Sequence, residues 1–150
     1  MSEIITINPN SSDTGIAQIT HIARAVKAIQ EGQVIVAPLE HSYVFLVDAF
    51  NPTAVKKMHL LRGDAPNIVS QVLVGSLKRA GDLIENIPPS ARALARKFWP
   101  GALSLNLQPR EDMQWSLGDK NTLKEISIRV PSSKFVLALL HESGPLAVSS

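Results

Sequence analysis

Residues 31–63 read EGQVIVAPLEHSYVFLVDAFNPTAVKKMHLLRG. Three element signals follow one another in it. Val34, Ile35 and Val36 form a continuous β-branched run, which predicts a short buried strand over QVIVA. SYVFLV predicts a second strand. NPTAVKKMHLLRG predicts a helix: Asn51 supplies an N-cap, Pro52 takes the first helical position, and Val55, Met58 and Leu61 keep helical spacing. Between the strands, Glu40 and His41 sit side by side. They read as an acid/base pair, as the lining of a ligand cleft, or as a plain strand-to-turn edge. Adjacent strand residues point to opposite faces, which counts against joint action on one proton.

Outward from this stretch the pattern stays interleaved. NPNSSDTG is a turn signal before the helical pattern IAQITHIARAVKAIQEG, with Ile16, Ile19, Ala23, Val26 and Ile29 on one face and Gly32 as its stop. VSQVLVGS predicts a strand, SLKRAGDLIENI a helix, and PPSARALARKFWPG a helix with a Pro entry and a Pro-Gly exit. ALSLNLQ and EISIRVP alternate as half-buried strands do, which fits antiparallel pairing. REDMQWSLGDKN is a polar loop. SSKFVLALLHESG predicts a helix and PLAVSS a last strand. The result is a single α/β (α+β) domain over 1–150 with a mixed parallel/antiparallel sheet and helices packed on it.

The 150 residues are 45% hydrophobic and 19% charged, with net charge +2, the mix of a globular protein. With 0 cysteines, disulfides, thiolate metal sites and a cysteine nucleophile are excluded. No signal peptide is visible at the N-terminus, and no apolar run reaches the roughly 20 residues of a membrane span, so a cytoplasmic protein with no membrane partner is expected. His21, His59 and His141 lie singly on helical patterns without metal-ligand spacing, so no metal is expected. Arg92, Arg96 and Lys97 form a basic strip with Lys78 and Arg79 nearby. It reads as a solvated helix face or as a surface for RNA. Trp99 reads as a core or hinge anchor beside Pro100-Gly101. No P-loop, nucleophile elbow or dinucleotide fingerprint is present.

Four stretches, in order, resemble the YrdC-like domain of the threonylcarbamoyl-AMP synthase family. They are EGQVIVAPLEHSYVFLVDAFNPTAVKKMHLLRG, FWPGALSLNL, ISIRVPSS and SGPLAVSS. The resemblance implies a twisted mixed sheet with a concave, positively charged cleft for ATP. It implies an L-threonylcarbamoyladenylate synthase, a nucleotidyltransferase joining ATP (as its Mg²⁺ complex), threonine and bicarbonate, in tRNA threonylcarbamoyladenosine modification and so in translation. No permanent cofactor is implied. Partners implied are ATP, threonine, and RNA or tRNA-pathway proteins. Such a reaction brings a carbamate carboxylate to an α-phosphate, and cations must screen that approach.

Carried over position by position, the implied nucleotide- and substrate-binding residues are Pro38, Glu40, His41, Tyr43, Arg62, Arg129 and Ser150. No catalytic residue is assigned. Leu39 and His41 replace threonines, and Val44 and Leu46 replace glycines. Asp64 stands where the family has arginine, which puts a carboxylate in an expected polyanion site; a like charge within ~4 Å costs on the order of 1–4 kcal/mol. The chain ends before the Asn of the family's Ser-x-Asn motif, leaving the family's C-terminal part outside it. A non-catalytic paralogue binding double-stranded RNA or a nucleotide, and a carbamoyl-transfer domain with another acceptor, stay open.

Overall fold

The computed structural model describes residues 2–7, 16–118 and 124–149. The NPNSSDTG turn, the end of the polar loop and Ser150 lie outside the described residues. Helix α1 spans Ile16–Gln30, strand β1 Ile35–Pro38, β2 Tyr43–Asp48, α2 Pro52–Arg62 and β3 Gln71–Leu73. Then come α3 (Leu77–Leu83), α4 (Pro89–Phe98), β4 (Leu105–Leu107), β5 (Ile126–Arg129), α5 (Lys134–Ser143) and β6 (Leu146–Ser149).

The six strands form one sheet in the order β1-β2-β6-β3-β5-β4. Only β3 and β5 run parallel; the other neighbours are antiparallel. The alternating segments ALSLNLQ and EISIRVP pair antiparallel, as expected, with Asn106 opposite Ser127. QVIVA differs from its expectation of a buried strand. It forms the edge strand β1, and Val36 is 59% exposed there.

Two apolar layers sandwich the sheet, and the period of two along each strand sends neighbouring residues to opposite layers. Leu46, Leu73, Leu146 and Val148 join Ile29 of α1 and Phe135, Val136, Leu139 and Leu140 of α5. Val47, Val72, Ala147 and Ile128 join Val55 and Met58 of α2, Ala80 and Leu83 of α3, and the loop residues Trp115 and Leu117. Two helix faces are rotated from the sequence reading. On α1 the packed residues are Ile22, Ala25, Val26 and Ile29, while Ile19 is exposed. On α2, Ala54, Val55 and Met58 are buried and Leu61 faces outward. Each helix buries one narrow stripe against the sheet, and periodicity alone does not fix which neighbouring apolar residue falls on it.

The ends of α2 follow from its sequence. Asn51 Oδ1 accepts the Ala54 N–H at 3.0 Å, and Pro52 starts the helix where no N–H is needed. Gly63, at φ 73°, ends it: its N–H bonds the Leu60 carbonyl at 3.2 Å and the Asp64 N–H bonds the His59 carbonyl at 3.1 Å. This Schellman-type cap needs the left-handed conformation that glycine adopts freely. It folds Asp64 back over the last turn of the helix.

Met58 and Leu139 are fully buried, one in each layer. Met58→Ala and Leu139→Ala are each expected to cost about 2–5 kcal/mol in denaturant unfolding. Leu61→Ala, at an exposed position, is expected to stay within about 0.5 kcal/mol.

Candidate functional site

The turn between β1 and β2 carries the first site residue. Glu40 does not project beside His41 into solvent. Its Oε2 meets Arg129 Nη1 at 3.1 Å, and its Oε1 accepts the Ser132 N–H at 2.7 Å and the Ser132 hydroxyl at 3.2 Å. Arg129 is 7% exposed and also donates to the Gly101 carbonyl at 3.2 Å. The Ser133 hydroxyl donates to the Pro38 carbonyl at 3.0 Å. Four hydrogen bonds and one ion pair thus link the 38–42 turn and the Trp-Pro-Gly corner to the junction of β5 and α5. Partial burial by itself would raise the Glu40 carboxyl. The Ser132 amide, Glu40's own N–H and Arg129 outweigh it, and the group sits below the ordinary value of 4.5.

A cavity of about 580 Å³ opens beside this clamp. Arg62, Asp64, Gln71, Arg129 and Ser149 supply its polar lining, and Leu39, Val44, Ile68, Val69 and Val148 much of its apolar lining. The structure therefore brings Arg62 and Arg129 together on one cavity, with Glu40 bonded to Arg129. Pro38 lies next to Leu39 at the end of β1. His41 and Tyr43 are exposed and do not line the cavity. A larger recess of about 820 Å³ lies among Gln108, Arg110, Met113, Trp115 and Glu125. It holds none of the residues singled out from the sequence and borders residues outside the described set, so the smaller cavity is the candidate site.

Asp64 has partners inside the protein. His59 Nδ1 lies 2.7 Å from its Oδ2, Arg62 Nε 3.2 Å from its Oδ1, and the Ser149 hydroxyl donates to Oδ2 at 3.4 Å. The His59 hydrogen bond is the main cause holding its carboxyl below the ordinary value of 3.8; burial opposes, and Arg62 assists. His59 in turn places Nε2 at 2.9 Å from the Ser70 hydroxyl and 3.1 Å from the Leu117 carbonyl. Nδ1–H is given to Asp64; Nε2 sits between a hydroxyl, which can donate or accept, and a carbonyl, which only accepts, so its role follows the protonation of the ring. Ser70 is buried, and Gly118 lies so close behind that a Cβ there would meet the Ile68 carbonyl oxygen at 2.0 Å.

His59, Ser70, Gln71, Ser132 and Ser149 were not singled out from the sequence. His59 carried one local signal: it stands at the last turn of a helix ended by Gly63, where the cap returns Asp64 to it. The others come from distant strands and leave no short-range trace. Trp99 is an anchor as read, with Nε1 donating to the Leu103 carbonyl at 2.6 Å. Arg92, Arg96 and Lys97 are exposed on α4, and Lys97 Nζ lies 5.4 Å from the centre of the Phe98 ring. Among the described residues, no helix is long and apolar enough to cross a membrane.

The sequence profile of the Sua5/YciO/YrdC family, described as "Telomere recombination", matches residues 27–150. A putative threonylcarbamoyl-AMP synthase of Mycobacterium tuberculosis is 40% identical over 129 residues, which is 86% of this chain and 58% of that protein. A threonylcarbamoyl-AMP synthase of Bacillus subtilis is 34% identical over 86% of this chain and 37% of its own length. This chain thus spans little more than half of these relatives at most. Among solved structures, P. abyssi Sua5 complexed with L-threonine superposes with a TM-score of 0.79 at 28% identity, over 86% of this chain and 38% of that one. E. coli YciO superposes with a TM-score of 0.84 at 23% identity, over 100% of this chain and 70% of that one, a likeness of fold.

The clamp and the His59 contacts set three expectations. A carboxyl held below its ordinary value stabilises the fold above that value, and the stabilisation is lost as pH falls through the lowered one. Stability is therefore expected to drop below about pH 4.5, and Glu40→Gln to flatten that acid limb in unfolding titrations. Arg129→Met, which strands a largely buried carboxylate, is expected to cost roughly 3 kcal/mol at neutral pH. Gly118→Ala is expected to lower the melting temperature by several degrees, because the loop must retreat from Ile68 at a residue with φ 122°.

Proposed function

The chain belongs to the Sua5/YciO/YrdC family, and from that premise we propose that it is a YrdC-like domain of the threonylcarbamoyl-AMP synthase class, taking ATP as its Mg²⁺ complex together with threonine and bicarbonate. One observation carries the proposal: Arg62 and Arg129, far apart in sequence, line the same cavity. In this reading Arg62 and Arg129 attract the anionic groups of the substrates, Glu40 fixes Arg129, and Pro38 and Leu39 shape the cavity edge. Ser150 is assigned a polar contact to the ligand by the resemblance alone; His41 and Tyr43 lie outside the cavity lining. The Mg²⁺ carried by ATP supplies positive charge that the arginines, each already paired with a carboxylate, supply only in part. Relatives that bear the synthase name support the choice of reaction. The protein then acts in the cytoplasm, in tRNA modification.

A second reading draws on the exposed basic strip of α4. Arg92, Arg96 and Lys97 form a surface for double-stranded RNA in a non-catalytic paralogue. Asp64, an anion inside the cavity, supports that reading over unaltered synthase chemistry.

Incubation with ATP, Mg²⁺, threonine and bicarbonate is expected to release pyrophosphate only when threonine is present. Arg62→Met is expected to reduce that release at least tenfold, the loss of one charge-assisted contact. No threonine-dependent release at high protein concentration would overturn the synthase reading. Duplex RNA binding that weakens steeply with salt, and is lost in an Arg92→Ala/Arg96→Ala/Lys97→Ala variant, would then support the second.

A further inference from the structure

Each guanidinium that lines the cavity has its own carboxylate: Arg62 has Asp64, and Arg129 has Glu40. The four charges sum to zero. The two pairs are not equivalent toward a ligand, however. Arg129 is nearly buried and gives Nη1 to both Glu40 and Gly101. Arg62 spends only Nε on Asp64, and its side chain is 39% exposed. Among the described residues its two Nη groups bond no other side chain. On Asp64, Oδ2 is taken by His59 and Ser149, while among the described residues Oδ1 accepts only Arg62 Nε and keeps an acceptor position.

An anion-binding fork and a carboxylate oxygen thus stand side by side in the lining of a cavity whose apolar lining includes Leu39, Val44 and Val148. That pattern matches a molecule whose positive and negative groups are separated by one carbon and whose side chain is small. We propose that Asp64 is a specificity-determining residue of this cavity: it receives the ammonium group of an α-amino acid while the Nη groups of Arg62 receive its carboxylate. The proposal rests on the synthase-class reading for an amino acid being the substrate.

His59 is a positioning residue for Asp64. It turns the carboxylate by donating Nδ1–H and is itself held at Nε2 by Ser70, inside the wall formed by Leu117 and Gly118. It does not line the cavity. Without it the Asp64 carboxylate is free to rotate onto Arg62 with both oxygens, in the bidentate geometry that guanidinium favours. The acceptor for the ammonium and the fork for the carboxylate would then both be consumed.

Calorimetric titration of the whole chain with L-threonine, its 2-hydroxy acid analogue, N-acetyl-L-threonine and L-threonine amide tests this. The amino acid is expected to bind at least tenfold more tightly than either analogue lacking the ammonium. Asp64→Asn, nearly isosteric, is expected to reduce that preference below about threefold, and Asp64→Glu to restore part of it. Arg62→Gln is expected to abolish the preference for free acid over amide. His59→Ala is expected to weaken the ammonium preference, and His59→Asn, whose amide N–H replaces Nδ1–H, to recover it. Three results would each overturn the proposal: no binding of L-threonine at 10 millimolar, equal binding of the ammonium-free analogues by the parent chain, or an unchanged preference in folded Asp64→Asn. Threonine-dependent pyrophosphate release with an unaltered threonine KM in Asp64→Asn would overturn it while leaving the synthase reading intact. Ammonium-selective binding without pyrophosphate release would do the reverse.

Discussion

The ion pair between Glu40 and Arg129 is the constraint on which the site depends. It joins the turn after the edge strand to the strand β5, 89 positions later by residue number, and the Ser132 amide and hydroxyl complete it. A largely buried guanidinium needs such a partner, since charge removed from water is costly unless paired and hydrogen-bonded. The same contacts hold the β1–β2 turn over the sheet, so that Leu39 and Val44 become a wall of the cavity instead of a mobile hairpin tip. The electrostatics of one residue thereby set the shape available to a ligand.

Local sequence signals do comparable work on the opposite wall. Asn51 and Pro52 fix where α2 begins, and Gly63 fixes where it ends. Because the cap reverses the chain within two residues, Asp64 returns to the His59 side chain. A helix C-terminus, with its exposed carbonyls, does not favour a carboxylate. His59, Arg62 and Ser149 compensate by hydrogen bonding to it. The acid at this position is therefore accommodated within the fold, and it stands in the lining of the cavity.

Much of the architecture was legible in the sequence, because the six strands and five helices of the described residues carry periodicity, caps or turn residues of their own. The mixed character of the sheet followed from the alternating segments around Leu105 and Ile128. The inward faces of α1 and α2 were not legible, since Ile19 and Leu61 satisfy helical spacing yet point to solvent. The edge position of β1 was hidden as well, since a β-branched run reads the same in a central strand. Of the site, Arg62 and Arg129 were found through motif resemblance, and their convergence is a property of the sheet order. Glu40 read as a neighbour of His41; its true partner lies across the sheet, where no local pattern reports it. Asp64 was recognised as an oddity, but its relay to His59 and Ser70 requires three segments to meet.

The strand order has a consequence for how the chain reaches this state. Among the described strands β6 comes last in sequence, yet it lies between β2 and β3 in the interior of the sheet. Until it emerges, the β1–β2 hairpin and the β3-β5-β4 group have no hydrogen-bonded connection to each other, and both present an open edge. Leu146, Ala147 and Val148 then act as a keystone that closes both apolar layers at once. Until β6 is in place, both open edges are available for edge-to-edge pairing, so the step that docks β6 also removes that liability.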